Sequence, residues 1–343
     1  MLTPVILHFA HKYKWYDQKN YRKIHTENIP RLGGIAIFLA FFIASMLGFF
    51  LIVSPAQIQL WSTTSVALII AGMAVMHGMG IYDDFVNLRA PLKFFFQILS
   101  GIIVVSSGAM IQSLRFPLIG TIQIPIFIAI PLTILWIVSI ANAINLIDGA
   151  DGLAGGYSAI AAFFMGIIAL GQGNLLTAIL AFALVGSLAG FLVFNFPPAR
   201  IFMGDSGSLF LGFVLAVLPV IGLNGKVPST ENTVFLLIPT LSLLYLPITD
   251  TLLAIFRRLS RGQPVHAADR EHIHHRLMDR GFTGKKLIAI VYSGAFIFGI
   301  AAMSWFTLPS PYGALINVLL WVVVTVLIVR GGRQSTGRQS TGR

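Results

Sequence analysis

The sequence predicts an all-α integral membrane protein: a multi-span helical bundle of about ten full transmembrane helices plus a truncated N-terminal helix. Three observations predict it. Of 343 residues, 56% are hydrophobic and only 10% are charged, whereas soluble chains carry about a quarter charged residues. Apolar runs near twenty residues recur throughout, the length that crosses a hydrocarbon core about 30 Å thick. The cations gather in alternate loops, as the positive-inside rule requires of a polytopic protein.

The expected spans are 33–53, 63–82, 92–110, 125–144, 153–170, 174–194, 206–223, 233–256, 286–306 and 311–330, each mostly apolar and bounded by Gly, Pro or charge. The start, "MLTPVILHFAHKYKW", is too short to span and has its basic region after the apolar stretch, unlike a secretory signal. It reads as the cytoplasmic end of a first helix whose outer part is missing. The end, 331–343, repeats QSTGR and reads as a disordered polar tail. Residues 1–330 form a single polytopic domain. Without cysteine, there is neither a disulfide framework nor thiolate chemistry.

Counting loops from the N-terminus, 21 of the 23 Lys and Arg fall on one side, leaving only Arg115 and Lys226 opposite. That side is cytoplasmic. The net charge of +11 is therefore a topology signal, not a nucleic-acid surface. The acids follow: only Glu231 lies outside. Orientation does not demand this, because carboxylates contribute little to it.

Five constellations occupy the cytoplasmic face. In "GIYDDFVNLRAPLK", Asp83 and Asp84 end a span and Lys93 opens the next. Helical neighbours point about 100° apart, so the pair can address two partners. In "NAINLIDGADGLAGG", Asn142, Asn145, Asp148 and Asp151 recur every third residue, too widely spread for one helix face. Gly149 and Gly152 suggest a break that leaves Asn145 and Asp148 at the helix end, offering hard oxygens to a cation. Turn capping would explain one or two of these residues but not four.

In "NFPPARIFMGDSGSLFLG", Asn195 ends a span and Asp205 precedes a helix. Alone, Asp205 reads as an N-cap; beside two other acidic clusters it reads as a metal or phosphate ligand. In "DREHIHHRL", His272, His274, His275, Arg270 and Arg276 lack the spacing of a zinc protease and form a cationic surface for phosphate. "RKIHTENIPRLGG" fits a topological anchor and a substrate contact equally well.

Carboxylates and amides suit Mg²⁺, with Mn²⁺ as the alternative, and such sites use substrate phosphates to complete the octahedron. With a lysine, arginines and histidines nearby, the inventory suits a polyphosphate at a membrane surface.

These motifs resemble the polyprenyl-phosphate N-acetylhexosamine-1-phosphate transferases over roughly residues 12–330. The branch is similar to the bacterial undecaprenyl-phosphate N-acetylglucosamine-1-phosphate transferases that prime teichoic acid, O-antigen or related glycans. Arg276 directly after His275 favours it over the phospho-MurNAc-pentapeptide transferases, which carry a longer histidine run. The resemblance implies eleven spans, a cytoplasmic active site, a UDP-N-acetylhexosamine donor and a polyprenyl phosphate acceptor. It makes Asp83 and Asp84 the paired acids, Lys93 a phosphate-binding cation, and Asn145 and Asp148 a metal and nucleotide-diphosphate motif. It makes Asn195 a nucleotide-site residue, Asp205 the principal metal ligand, and His274 and His275 a phosphate loop. An ion-coupled transporter is the other class considered; acids at one face instead of the midplane disfavour it. The sugar and the oligomeric state, a homodimer included, stay open.

Overall fold

The structure is a computed structural model that describes residues 2–16, 29–53, 62–116, 120–224, 237–264 and 271–340. In chain order its helices are α1 (Thr3–Lys12), α2 (Gly33–Ile52), α3 (Thr63–Val86), α4 (Ala90–Ser106), α5 (Ile126–Ile147), α6 (Leu153–Gly171) and α7 (Leu175–Asn195). They continue with α8 (Asp205–Asn224), α9 (Leu237–Leu243), α10 (Tyr245–Ser260), α11 (Ile273–Met278), α12 (Gly284–Thr307) and α13 (Ser310–Ser340). Between α4 and α5 an antiparallel hairpin pairs β1 (Ser113–Phe116) with β2 (Gly120–Gln123).

Among the described residues, seven helices are long and apolar enough to cross a membrane: α2, α3, α5, α6, α7, α12 and the Pro311–Arg330 part of α13. Two shorter apolar helices, α4 and the Asp205–Ile221 part of α8, account for two further expected spans. The protein is thus the multi-span helical bundle that its composition implies.

The expected span 233–256 is not one helix. Residues 233–236 lie outside the described residues, and the remainder breaks at Leu244 between α9 and α10. Pro247 is the cause: it lacks the N–H that would bond the Leu243 carbonyl one turn earlier, and its ring crowds that carbonyl. The freed Leu243 oxygen accepts instead from the buried Tyr157 hydroxyl at 2.7 Å, so a backbone acceptor released inside the bundle finds a side-chain donor. The polar tail also differs from expectation. α13 runs on to Ser340, so 331–340 is helical; no proline stops the helix there, and propagation from a formed helix is easy. Residues 341–343 lie outside the described residues.

The core lies along α8. From Leu209 to Leu218 all its apolar side chains are essentially inaccessible, the signature of a helix apolar all round and enclosed by others. Helices α2, α3, α5, α6 and α7 pack around it. At Gly80 a Cβ would lie 2.5 Å from the Ser206 Cα, so glycine is what lets α3 touch the first turn of α8. The segment before α8 is tied to the start of α2 by backbone bonds: Phe202 N to Pro30 O at 2.8 Å, Gly33 N to Phe202 O at 2.9 Å and Gly34 N to Met203 O at 2.8 Å. The first residue of this central helix is Asp205.

Candidate active site

Asp205 stands where the end of α3 and the start of α4 meet the last turn of α5. Asp83 helps to end α3: its Oδ1 accepts from Leu88 N at 2.7 Å, while Asn87 takes a left-handed φ of 53°. The chain turns there, and Pro91 sits in the first turn of α4, where its missing N–H costs nothing. This brings Lys93 back onto the acids. Its Nζ lies 2.5 Å from Asp83 Oδ2 and 2.9 Å from Asp205 Oδ2.

Asp84 points elsewhere. Its Oδ1 accepts from Asp205 N at 2.7 Å and its Oδ2 from Ser206 N at 3.1 Å. The carboxylate thus satisfies two of the unpaired amides at the α8 N-terminus, where a negative charge is also favoured by the helix dipole. The adjacent acids do address two partners, and Asp84 takes the capping task that Asp205 alone would have been assigned. Asp205 is left with its carboxylate free for Lys93 and Asn145.

Asn145, in the last turn of α5, donates from Nδ2 to Asp205 Oδ1 at 3.3 Å and to Ser208 Oγ at 2.8 Å. Asp148 follows one residue beyond the helix. Loss of hydration pushes its carboxyl up to about 7, the negative charge of Asp205 pushes the same way, and the Arg31 guanidinium opposes both. Asp148 and Arg31 therefore belong to the same electrostatic cluster as Asp205.

The histidine segment reaches this cluster through His274. A Cβ at Gly149 would lie 2.3 Å from His274 Nε2, so the ring rests on the turn after Asp148 only because residue 149 is glycine. His274 is 4% exposed and neither ring nitrogen has a hydrogen-bond partner. Burial, then the neighbouring His275, hold it down to about 4, so its ring is neutral at pH 7. The His275 ring centroid is 4.2 Å away.

Other expected site residues are placed differently. Asn195 is buried, accepting from Gly152 N at 2.9 Å and donating to Ile201 O at 2.7 Å; its amide staples two turns together. Asp151 does the same through Ala199 N at 3.0 Å. Asn142 exchanges amide bonds with Gln97, one turn further into the bundle. Arg276 donates to Ile328 O on α13 at 2.8 Å, away from Asp205. Arg270 lies outside the described residues. Sequence reasoning missed Ser208, although its i+3 spacing from Asp205 places it on the same helix face.

Among the described residues, no three His, Asp or Glu groups already form a metal cage. The donors nonetheless fit a hard divalent cation. Asp83 and Asp205 both grip one positive group, the Lys93 ammonium, and Asn145 adds an amide beside them. Mg²⁺ needs only one or two protein carboxylates when phosphate and water supply the rest. The side chains of Lys93 and Asp205 remain 28% and 27% exposed, so a ligand can reach them.

Fold and site together define a class: a multi-span membrane protein whose helix ends converge on a carboxylate–lysine–amide centre suited to phosphate. The chain belongs to a family that fits this description, Glycosyl transferase family 4, whose pattern its residues 66–223 match. It is 38% identical over 303 residues to the Probable undecaprenyl-phosphate N-acetylglucosaminyl 1-phosphate transferase of Bacillus subtilis strain 168, covering 88% of this chain and 80% of that protein. It is 36% identical over 327 residues to the Decaprenyl-phosphate N-acetylglucosaminephosphotransferase of Mycobacterium leprae, covering 88% and 79%. The Undecaprenyl-phosphate alpha-N-acetylglucosaminyl 1-phosphate transferase of Escherichia coli K12 is 26% identical over 303 residues, covering 85% and 77%.

Proposed function

We propose that the protein transfers N-acetylglucosamine-1-phosphate from UDP-GlcNAc to undecaprenyl phosphate, releasing UMP, at the cytoplasmic face of a bacterial inner membrane. The acceptor phosphate oxygen forms a bond to the sugar-bearing phosphorus, and the bond from that phosphorus to the bridging oxygen breaks, leaving the oxygen on UMP. The observation that carries the reading is the meeting of Lys93, Asn145 and Asp83 at Asp205, on the open end of a helix otherwise sealed in the core. The names of the relatives point to N-acetylglucosaminyl 1-phosphate as the transferred group and undecaprenyl phosphate as its acceptor, and the gathering of 21 of 23 cations in alternate loops supports the cytoplasmic side.

The main barrier is bringing anions together, so catalysis is chiefly positioning and charge neutralisation. A Mg²⁺ or Mn²⁺ held by Asp205 with Asn145 or Asp148 would neutralise pyrophosphate charge. Lys93 exchanges a carboxylate for a phosphate oxygen. His274 and His275 face the diphosphate across the Gly149 turn. Of the paired acids, Asp83 has an oxygen on the partly exposed Lys93 ammonium while Asp84 is committed to α8. Asp83 is therefore the one to take a residual proton from the acceptor, or to attack in a two-step route.

The test is UMP release in detergent with undecaprenyl phosphate and Mg²⁺, offering UDP-GlcNAc, UDP-GalNAc or UDP-MurNAc-pentapeptide. UDP-GlcNAc is expected to be used best; preference for the pentapeptide donor, or ion flux without UMP, overturns the reading. A burst of UMP without lipid selects the two-step route.

A further inference from the structure

One buried carboxylate outside the Asp205 centre meets a buried histidine. Asp250, in α10, is 2% exposed, and His272 is 5% exposed. Asp250 Oδ2 lies 2.9 Å from His272 Nδ1, and Oδ1 accepts from Ile273 N at 2.9 Å. Both oxygens are thus spent on two consecutive residues at the start of α11.

That start needs an external anchor. α11 has six residues, too few to hold a direction by its own hydrogen bonds, and His272 makes no side-chain cap of its own. The Asp250 carboxylate supplies the anchor for the Ile273 amide. It also fixes the His272 ring, since Nδ1 must carry the proton that the carboxylate accepts. The His274 ring runs within 8° of parallel to that of His272, with centroids 5.9 Å apart, and lies on Gly149. Asp250 does not reach the Asp205 centre; its effect passes through the histidine segment.

We propose that Asp250 is a positioning residue for the transfer: through His272 and Ile273 it seats the histidine segment against the Asp148–Gly149 turn that receives the donor's diphosphate. This rests on the function proposed above and assigns a determinant of donor binding to α10.

The experiment is a double-mutant cycle of Asp250→Asn and His272→Gln, reading kcat and KM for UDP-GlcNAc, KM for undecaprenyl phosphate, and Tm. Losing a hydrogen bond to a charged group predicts a fall of about tenfold to a hundredfold in kcat/KM for UDP-GlcNAc. The KM for undecaprenyl phosphate stays unchanged, and the double variant is about as impaired as the worse single one. Independent, multiplying losses overturn the proposal, as does an activity loss that follows Tm and falls on both substrates alike. Asp250→Glu, which keeps the charge but moves it, is put through the same cycle if Asp250→Asn does not fold. Wild-type protein that releases no UMP sinks the transferase reading and this proposal together. An active wild type, impaired by His274→Ala but untouched by Asp250→Asn, sinks this proposal alone.

Discussion

Lys93 Nζ lies 2.9 Å from Asp205 Oδ2 although 112 residues separate them in the chain. The same ammonium is 2.5 Å from Asp83, so one cation holds two acids from α3 and α8. Replacing it with glutamine leaves those acids facing each other without a counter-charge and removes the group that meets the donor. Lys93→Gln is expected to lower UMP formation by at least about a hundredfold, the scale at which positioned phosphate clamps act. Lys93→Arg should recover little, because a planar fork does not replace a point charge between two carboxylates. Retention of more than half the wild-type rate in either variant would refute this role.

The two adjacent acids should separate by measurement. Asp84 bonds two backbone amides of α8, and losing a helix cap costs about 0.5–2 kcal/mol. Asp84→Ala is expected to lower Tm. Asp83→Asn should leave Tm near wild type, since Lys93 keeps Asp205, yet abolish most turnover. Thermal melts paired with UMP assays check both, and equal Tm losses would show that the acids share one role.

How much of this was legible in the sequence depended on distance along the chain. Spans were readable because an apolar run near twenty residues has one explanation, and the gathered acids were readable because a membrane offers few reasons to place them there. The break at Leu244 was also written in the sequence, in Pro247, but hydropathy alone bridges it. The β1–β2 hairpin left no comparable mark: each strand has four residues, shorter than any useful periodicity. Partners were the least legible. Nothing local tells that Asp84 caps a helix beginning at residue 205, or that Asp250 meets His272, 22 residues further along the chain.

Asn195 shows where the family resemblance and the geometry part. The resemblance makes it a nucleotide contact, whereas both ends of its amide are taken by Gly152 N and Ile201 O. Asn195→Ala strands a buried donor and a buried acceptor, at about 1–3 kcal/mol for an unsatisfied group. The expected result is a lower Tm with an unchanged KM for UDP-GlcNAc in the folded fraction. A raised KM at unchanged Tm would return Asn195 to the nucleotide site.

His274 gives the stability a defined pH dependence. Its folded value sits near 4, below the model-peptide value of 6.5, because burial opposes the charged ring and His275 and His272 add to that opposition; Asp250 works against them. The unfolded chain therefore binds a proton that the folded chain refuses between those limits, and stability falls as the pH drops from about 6.5 towards 4. Above 6.5 the contribution is complete. A separation of this size corresponds to about 3 kcal/mol at its limit. His274→Asn, which cannot titrate, should show a flatter Tm profile between pH 7 and 4.5 than the wild type, whatever its Tm at pH 7. Parallel profiles would mean that the folded imidazole takes up its proton as the unfolded one does, as the pH falls through about 6.5, and that burial does not hold the ring neutral below that value.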